Sequence, residues 1–137
     1  MSLRDAFKEA GVSNIAVEPG DVCIVKDESV VIPETPEDKR KYHPEGRLCV
    51  ILSNRSMCAD PTFPIVSIAP LTHRVDLKDS CDFPLNPSDQ NRLRKVSLVM
   101  LGHIQPITKQ DLIKKIGSLS EDEWNDMVAH ILSNIDR

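Results

Sequence analysis

Short apolar runs recur along the middle of the chain, and each is bounded by Pro, Gly, Ser, Asn or charged residues. Runs of this length that are rich in β-branched side chains are typical of buried strands rather than helices. They predict six strands, at residues 21–26, 48–52, 64–71, 82–85, 95–101 and 104–107. The long connection at residues 27–46 contains three prolines and predicts a loop, and loops of this length are often functional.

Helical spacing marks the two ends of the chain. A short helix is predicted at residues 3–10, and a variant capping box at Thr108–Asp111 predicts a second helix that ends near Ile116 with Gly117 as its cap. Ser120–Glu123 forms a full capping box before a third helix. That helix carries an apolar stripe at Trp124, Met127, Val128, Ile131, Leu132 and Ile135.

Strands followed by helices predict an α+β domain built on a small, strongly curved antiparallel sheet. A length of 137 residues fits one domain over residues 1–137, with a sheet at 21–107 and C-terminal helices at 109–135. The chain lacks an apolar run long enough for a membrane span and begins with a charged segment, so it is predicted to be cytoplasmic. Few aromatic residues argue against a broad base-stacking platform.

Charge is distributed unevenly along the chain, although the net charge is only -4. Residues 1–38 are acidic and residues 116–137 are acidic, whereas residues 39–115 carry thirteen basic and seven acidic side chains. Overall acidity argues against non-specific nucleic-acid binding, while the basic middle could attract a phosphate backbone locally. An ordinary mixed-charge surface is the simpler interpretation of this pattern alone.

The four cysteines do not form a C-x-x-C pair, which argues against a zinc ribbon or a thioredoxin-like site. Cys23 and Cys49 lie within apolar runs and are predicted to be small core residues. Cys58 and Cys81 lie in polar segments and could meet in space as a disulfide or a metal site.

Taken in order, these segments resemble the PemK/MazF family of toxin endoribonucleases over roughly residues 19–135. No single landmark is specific, but their order and spacing together are. The landmarks are Gly20-Asp21-Val22, Gly46-Arg47 before Val50-Ile51-Leu52-Ser53-Asn54, Pro64-Ile65-Val66, Ala69-Pro70-Leu71-Thr72, Phe83-Pro84-Leu85, Val96-Ser97-Leu98-Val99, Ile107-Thr108-Lys109 and Ile116-Gly117-Ser118-Leu119-Ser120.

The resemblance implies an SH3-like barrel with a C-terminal helix, usually as a homodimer. It also implies cleavage of single-stranded RNA without a metal ion or other cofactor, and neutralisation by a cognate antitoxin. The family's usual catalytic pair falls at Arg47 and Thr72. The chain departs from the common family pattern at Leu48, where proline often follows the arginine, and at Gly102-His103 before the late strand.

Cleavage of RNA without metal requires a proton acceptor for the ribose 2′-OH, stabilisation of the pentavalent phosphate and a proton donor for the 5′-oxygen. Arg47 offers bidentate donors for phosphate oxygens, and the Thr72 hydroxyl could hold the reacting groups in line. His73 and His43 are the candidates for proton transfer, because imidazole titrates near neutral pH. Candidate phosphate contacts are Lys39, Arg40, Lys41, Arg55 and Arg74.

Two other functional classes fit the same sequence. SH3-like barrels host unrelated functions, so the chain could be a non-catalytic module that binds a protein or a nucleic acid. It could also be an inactive relative that is retained for dimerisation or complex assembly. Arg47 and Thr72 favour the nuclease, whereas the acidic net charge and the altered late-strand motif favour the alternatives.

Overall fold

A computed structural model describes residues 15–32 and 42–135 of the chain. The predicted helix at residues 3–10 and the basic cluster Lys39-Arg40-Lys41 lie outside the described residues. Among the helices that are described, none is both long and apolar enough to cross a membrane.

The described residues form one antiparallel sheet of seven strands. The strands are β1 (Asp21–Val25), β2 (Arg47–Ile51), β3 (Ile65–Thr72), β4 (Asp82–Leu85), β5 (Ser97–Met100), β6 (Gln105–Thr108) and β7 (Leu112–Ser118). All six predicted strands are confirmed, with bounds that differ by a few residues at most. In spatial order the strands run β4-β5-β3-β2-β1-β7, and β6 pairs with β3 beside this path.

The predicted helix at residues 109–116 was wrong, because this segment forms β7 and pairs with β1. Thr108 makes no side-chain cap, and only a 3₁₀ turn at Lys109–Asp111 precedes the strand. Two register shifts in the β1–β7 ladder interrupt the regular alternation of a strand. Bulges of this kind leave apolar residues at irregular spacing, so the apolar pattern of residues 112–116 resembles one face of a helix. The edge of β1 supplies the hydrogen-bond partners that a helix would have supplied internally.

The described residues include a short helix, α1 (Arg55–Ala59), and the predicted C-terminal helix is confirmed as α2 (Glu121–Ile135). Its capping box is formed as predicted: Ser120 N donates to Glu123 Oε1 at 2.9 Å, and Glu123 N donates to Ser120 Oγ at 3.1 Å. Met127 is fully buried against the sheet, whereas Leu132 and Ile135 at the end of the stripe are 56% and 71% exposed. The sheet therefore covers the stripe as far as Ile131 and leaves its last two residues exposed.

The sheet is buried on both faces, and side-chain alternation assigns residues to each. One face contributes Cys23, Val25, Cys49, Ile51 and Ile68 to a cluster that we call core 1. The other face contributes Val22, Val50, Ala69 and Leu71 to core 2, which Met127 of α2 covers. Burial on both faces explains why β1 to β3 appear in the sequence as nearly continuous apolar runs.

The cysteines lie as predicted in the core and differently in the loops. Cys23 and Cys49 face each other across β1 and β2, and both are fully buried. Burial raises the pKa of the Cys23 thiol to about 12 and raises the pKa of Cys49 as well. Cys58 packs against core 1, whereas Cys81 Sγ lies 4.0 Å from Asn134 Oδ1 of α2. All four are free thiols, so the suggested disulfide between Cys58 and Cys81 is absent.

Candidate functional site

The pairing of β2 with β3 brings the two predicted catalytic residues to the same place. In this ladder Cys49 lies opposite Pro70 and Val50 lies opposite Ala69. The same register, continued by two residues, sets Arg47 at the start of β2 opposite Thr72 at the end of β3. Directly opposed residues of an antiparallel pair project to the same face. Arg47 and Thr72 are both partly exposed, and this extension of the register assigns them to the core 1 face of neighbouring strands.

Arg47 forms an ion pair with Asp27 through its Nε and the Asp27 Oδ1. The side chains are 14% and 6% exposed, so the pair is largely withdrawn from water. Asp27 lies two residues beyond Val25, which faces Arg47 in the β1–β2 ladder. Asp27 was not among the predicted site residues. Pairing the first two strands would have located it, because residues two apart share a face and the carboxylate then falls beside Arg47.

Thr72 begins a turn that closes the end of β3. Its Oγ1 accepts a hydrogen bond from Arg74 N at 3.1 Å, which is a common role for a threonine at a strand end. The Arg74 guanidinium is exposed and donates from Nε and Nη2 to the Asp76 carboxylate, both at 3.1 Å. These hydrogen bonds lower the pKa of Asp76 and raise that of Arg74. The predicted phosphate contact therefore already has an anionic partner.

His73 is held by a buried serine at the start of β5. Its Nδ1 lies 3.1 Å from Ser97 Oγ, and Ser97 Oγ lies 3.0 Å from the Lys95 carbonyl oxygen. A carbonyl oxygen only accepts hydrogen bonds, so the single hydroxyl proton of Ser97 is directed to Lys95. Both contacts are hydrogen bonds at once only in the tautomer in which His73 Nδ1 donates to Ser97, and that tautomer leaves Nε2 as the proton acceptor. Ser97 was part of a predicted landmark, but no contact with His73 was predicted for it.

His73 and Thr72 are not brought together on one face. Thr72 lies opposite Leu98 in the β3–β5 ladder, and the contact with Ser97 continues this register to His73. Successive residues of a strand project to opposite faces, so His73 lies on the core 2 side and Thr72 on the core 1 side. The other predicted histidine, His43, lies in the turn before β2, where its carbonyl accepts from Gly46 N at 2.9 Å.

Gly46 fixes the direction in which the chain enters β2. Its φ is +99°, a backbone conformation that residues with a Cβ rarely adopt. A Cβ at this position would lie 2.5 Å from Ile24 Cγ2 and 2.6 Å from the Val25 carbonyl oxygen. Glycine is therefore required on both counts immediately before Arg47.

Arg55 occupies the exposed first turn of a short helix, α1 (Arg55–Ala59), in a segment that was predicted as a loop. The Asn54 side chain caps this helix by accepting from Met57 N at 2.9 Å. At the other end, the buried Lys109 Nζ donates to the Met57 and Asp60 carbonyls at 2.7 and 2.9 Å. Burial lowers the pKa of Lys109. The landmark Lys109 therefore supports α1.

The site combines a guanidinium, a hydroxyl and a buried carboxylate at the ends of β1, β2 and β3. A guanidinium matches the geometry of phosphate oxygens and stabilises negative charge that develops on them. The described part of the chain brings together no group of three or more His, Cys, Asp or Glu side chains that could hold a metal ion.

Comparison with protein families finds one match. The model of the PemK-like, MazF-like toxin family of type II toxin–antitoxin systems matches residues 26–134, which include β2 to α2 and all the candidate residues named above. A search of curated proteins finds no significant match.

Several solved structures share the fold. The Mycobacterium tuberculosis toxin MazF-mt6 superposes with a TM-score of 0.63 at 19% identity, over 85% of this chain and 99% of that one. MazF from Deinococcus radiodurans gives a TM-score of 0.60 at 12% identity, over 89% and 98% of the two chains. An endoribonuclease from a mycobacterial species gives 0.59 at 14% identity, over 87% and 90%. At sequence identities this low, the structural similarity establishes a common fold and no more.

Proposed function

We infer that this chain, which belongs to the PemK-like, MazF-like toxin family of type II toxin–antitoxin systems, is an endoribonuclease that cleaves single-stranded RNA without a metal ion. The observation that carries the proposal is the register of β2 and β3, which, extended by two residues beyond its last pair, sets Arg47 opposite Thr72. A fixed guanidinium beside a hydroxyl at a partly exposed rim suits a phosphodiester that approaches from solvent. The related fold of a mycobacterial endoribonuclease agrees with this activity.

In the proposed reaction the ribose 2′-oxygen attacks the adjacent phosphorus as its proton is removed. The bond from phosphorus to the 5′-oxygen breaks, and that oxygen takes up a proton. The products are a 2′,3′-cyclic phosphate and a free 5′-hydroxyl. Arg47 stabilises the extra negative charge on the non-bridging oxygens, and the Thr72 hydroxyl orients the phosphate or the 2′-OH for attack.

His43 and His73 are the two proposed proton-transfer residues. His73 presents Nε2 as its acceptor, but its side chain projects to the face opposite Thr72. His43 lies in the turn that leads into Arg47. Substituting each in turn with Gln separates them, because loss of the proton acceptor removes the acidic limb of the pH–rate profile.

The proposed partners are single-stranded RNA, a cognate protein antitoxin and a second copy of the chain. Arg55, Arg74, Lys39, Arg40 and Lys41 are the proposed phosphate contacts, and an RNA phosphate at Arg74 would replace the exposed Asp76 carboxylate as its partner. The exposed Leu132 and Ile135 on α2 support a dimer, since association would bury them. A two-fold axis would double the basic track that one subunit offers to a flexible strand. The proposed place of action of the protein is the cytoplasm.

The test is incubation of the purified protein with a long RNA in EDTA, followed by mapping of the 5′ ends. Cleavage is expected, and Arg47→Ala should reduce kcat/KM by ~10²-fold or more, the scale of removing one oxyanion donor. Lys114→Ala is the matched control, because it removes one exposed cation from β7. Cleavage by Arg47→Ala at the wild-type rate would show that the site is elsewhere. Cleavage only after addition of a divalent ion would refute the metal-free mechanism.

A non-catalytic binding module is the second candidate, and the ion pair between Arg47 and Asp27 favours it. A guanidinium that neutralises a buried carboxylate is also what a structural arginine does. This function predicts that the chain binds single-stranded RNA or a protein partner without cutting RNA. Binding measured by fluorescence anisotropy, with no cleavage of the same labelled RNA after prolonged incubation, would select it.

A further inference from the structure

We propose that Asp27 is a positioning residue for Arg47, and that Asp111 and Gln105 hold Asp27 in place for this role. The proposal rests on the proposed function, since it concerns how the catalytic arginine is oriented. It assigns a function to residues 26–31, which follow β1 and are not part of a strand ladder.

Asp27 is nearly fully buried, and a buried carboxylate persists only with charged or hydrogen-bonding partners. Its Oδ1 contacts Nε of Arg47, which is the nitrogen closest to the aliphatic stem. A partner at Nε fixes the plane of the guanidinium and not only its distance, because the five N–H groups form a rigid fork. The orientation of Arg47 towards a phosphate is therefore set by where Asp27 lies.

Asp111 supports the first half of the Asp27 segment. Its carbonyl oxygen accepts from Lys26 N at 3.0 Å, and its Oδ2 accepts from Ser29 Oγ at 2.8 Å. Its Oδ1 also lies 3.7 Å from Lys26 Nζ. One residue thus holds the chain immediately before and after Asp27, from the turn between β6 and β7.

Gln105 supports the second half. Its Oε1 accepts from Val31 N at 2.8 Å, and its Nε2 donates to the Val31 carbonyl at 3.0 Å. A side-chain amide that binds both polar groups of one residue replaces a ladder partner at that position. The same Nε2 donates to the His103 carbonyl at 3.0 Å, which fixes the orientation of the amide. The segment at residues 26–31 is therefore attached at its start to Asp111, in the turn before β7, and at its end to Gln105 of β6.

The principal test compares Asp27→Asn with Glu28→Gln. Both substitutions remove one carboxylate from adjacent positions, but Glu28 is exposed, whereas Asp27 is buried and contacts Arg47. With RNA cleavage as the assay, Asp27→Asn should lower kcat by ~10–100-fold with little change in KM, since small displacements of a catalytic group cost up to about that much. Glu28→Gln should retain wild-type kcat. In the Arg47→Ala background, Asp27→Asn should cause no further loss.

A second readout is independent of catalysis. The Nε–H proton of Arg47 should give a slowly exchanging NMR signal in the wild type, and that signal should exchange faster in Asp27→Asn. Gln105→Ala is the second variant, because it loosens the segment without altering the buried ion pair, and it should show a smaller change in the same direction. Equal kcat and equal Nε–H exchange in the wild type and both variants would overturn the proposal.

The two proposals fail in distinguishable ways. If the wild type cuts no RNA and a slow Nε–H signal still depends on Asp27, the proposed function is refuted and the positioning of Arg47 is retained. If the wild type cuts RNA and an additional loss appears when Asp27→Asn is combined with Arg47→Ala, Asp27 does not act through Arg47 and the positioning role is overturned.

Discussion

Replacing Gly46 with alanine tests the link between backbone geometry and the candidate site. The φ of +99° costs a residue with a Cβ about 1–3 kcal/mol. The new Cβ would also lie 2.6 Å from the Val25 carbonyl oxygen, and this atom belongs to the backbone of β1 and cannot move alone. Overpacking of this kind costs roughly 1–3 kcal/mol more. The free energy of unfolding should therefore fall by about 2–6 kcal/mol.

The assay is urea unfolding at equilibrium, followed by circular dichroism, with the RNA cleavage assay on the folded fraction. Gly102→Ala is the matched control, because the nearest atom to its new Cβ is Cys81 Cβ at 3.6 Å, an ordinary contact. We expect Gly102→Ala to change the free energy of unfolding by less than about 1 kcal/mol. We also expect folded Gly46→Ala to cut RNA more slowly than Gly102→Ala, since Arg47 follows the displaced residue. A loss of stability in Gly46→Ala no greater than in Gly102→Ala would refute this reasoning.

Three further predictions concern the surface, the assembly and the core. Neutralising residues 39–41 together should make the negative slope of log affinity for RNA against log salt shallower by ~2 units. An unchanged slope would exclude phosphate contacts there. Light scattering at micromolar concentration should give twice the 15.3 kDa chain mass, and Leu132→Asp should shift the protein towards that single-chain mass; a wild-type monomer that cuts RNA would contradict the dimer. At pH 8 a thiol reagent should label Cys81 rapidly and reach Cys23 and Cys49 only through unfolding. Because the core thiols stay protonated in the folded chain and ionise in the unfolded one, stability should fall as the pH rises from about 9 towards 12, as measured by urea unfolding across that range.

The features that the sequence predicts well are those with a local physical cause. The capping box at Ser120–Glu123 and the stripe of α2 depend on residues three or four apart, and both appear in the structure. The strands that are buried on both faces are also predictable from the sequence, because each is a nearly continuous apolar run. Arg47 and Thr72 could be proposed together only through a family resemblance, and their opposition follows from extending the β2–β3 register by two residues beyond its last pair.

The features that the sequence failed to predict depend on contacts between distant segments. β7 resembles a helix in isolation, and only its pairing with β1 makes it a strand. Asp27 is an unremarkable acid in a loop until β1 pairs with β2 and sets it beside Arg47. Ser97 likewise acquires its role from the ladder that joins β3 to β5.

The pairing of β1 with β7 also has a consequence for the order of events during synthesis. Ser29 and its partner Asp111 are 82 positions apart, so β1, β2 and β3 leave the ribosome long before Asp111 and Gln105 do. Closing so long a loop costs chain entropy that is recovered only when the last strand docks. A nascent chain that ends before residue 105 contains Arg47 and Thr72 but lacks the support for Asp27. Competence for cleavage is therefore a property of the finished chain, and a fragment released early should be inert although it carries the proposed catalytic pair.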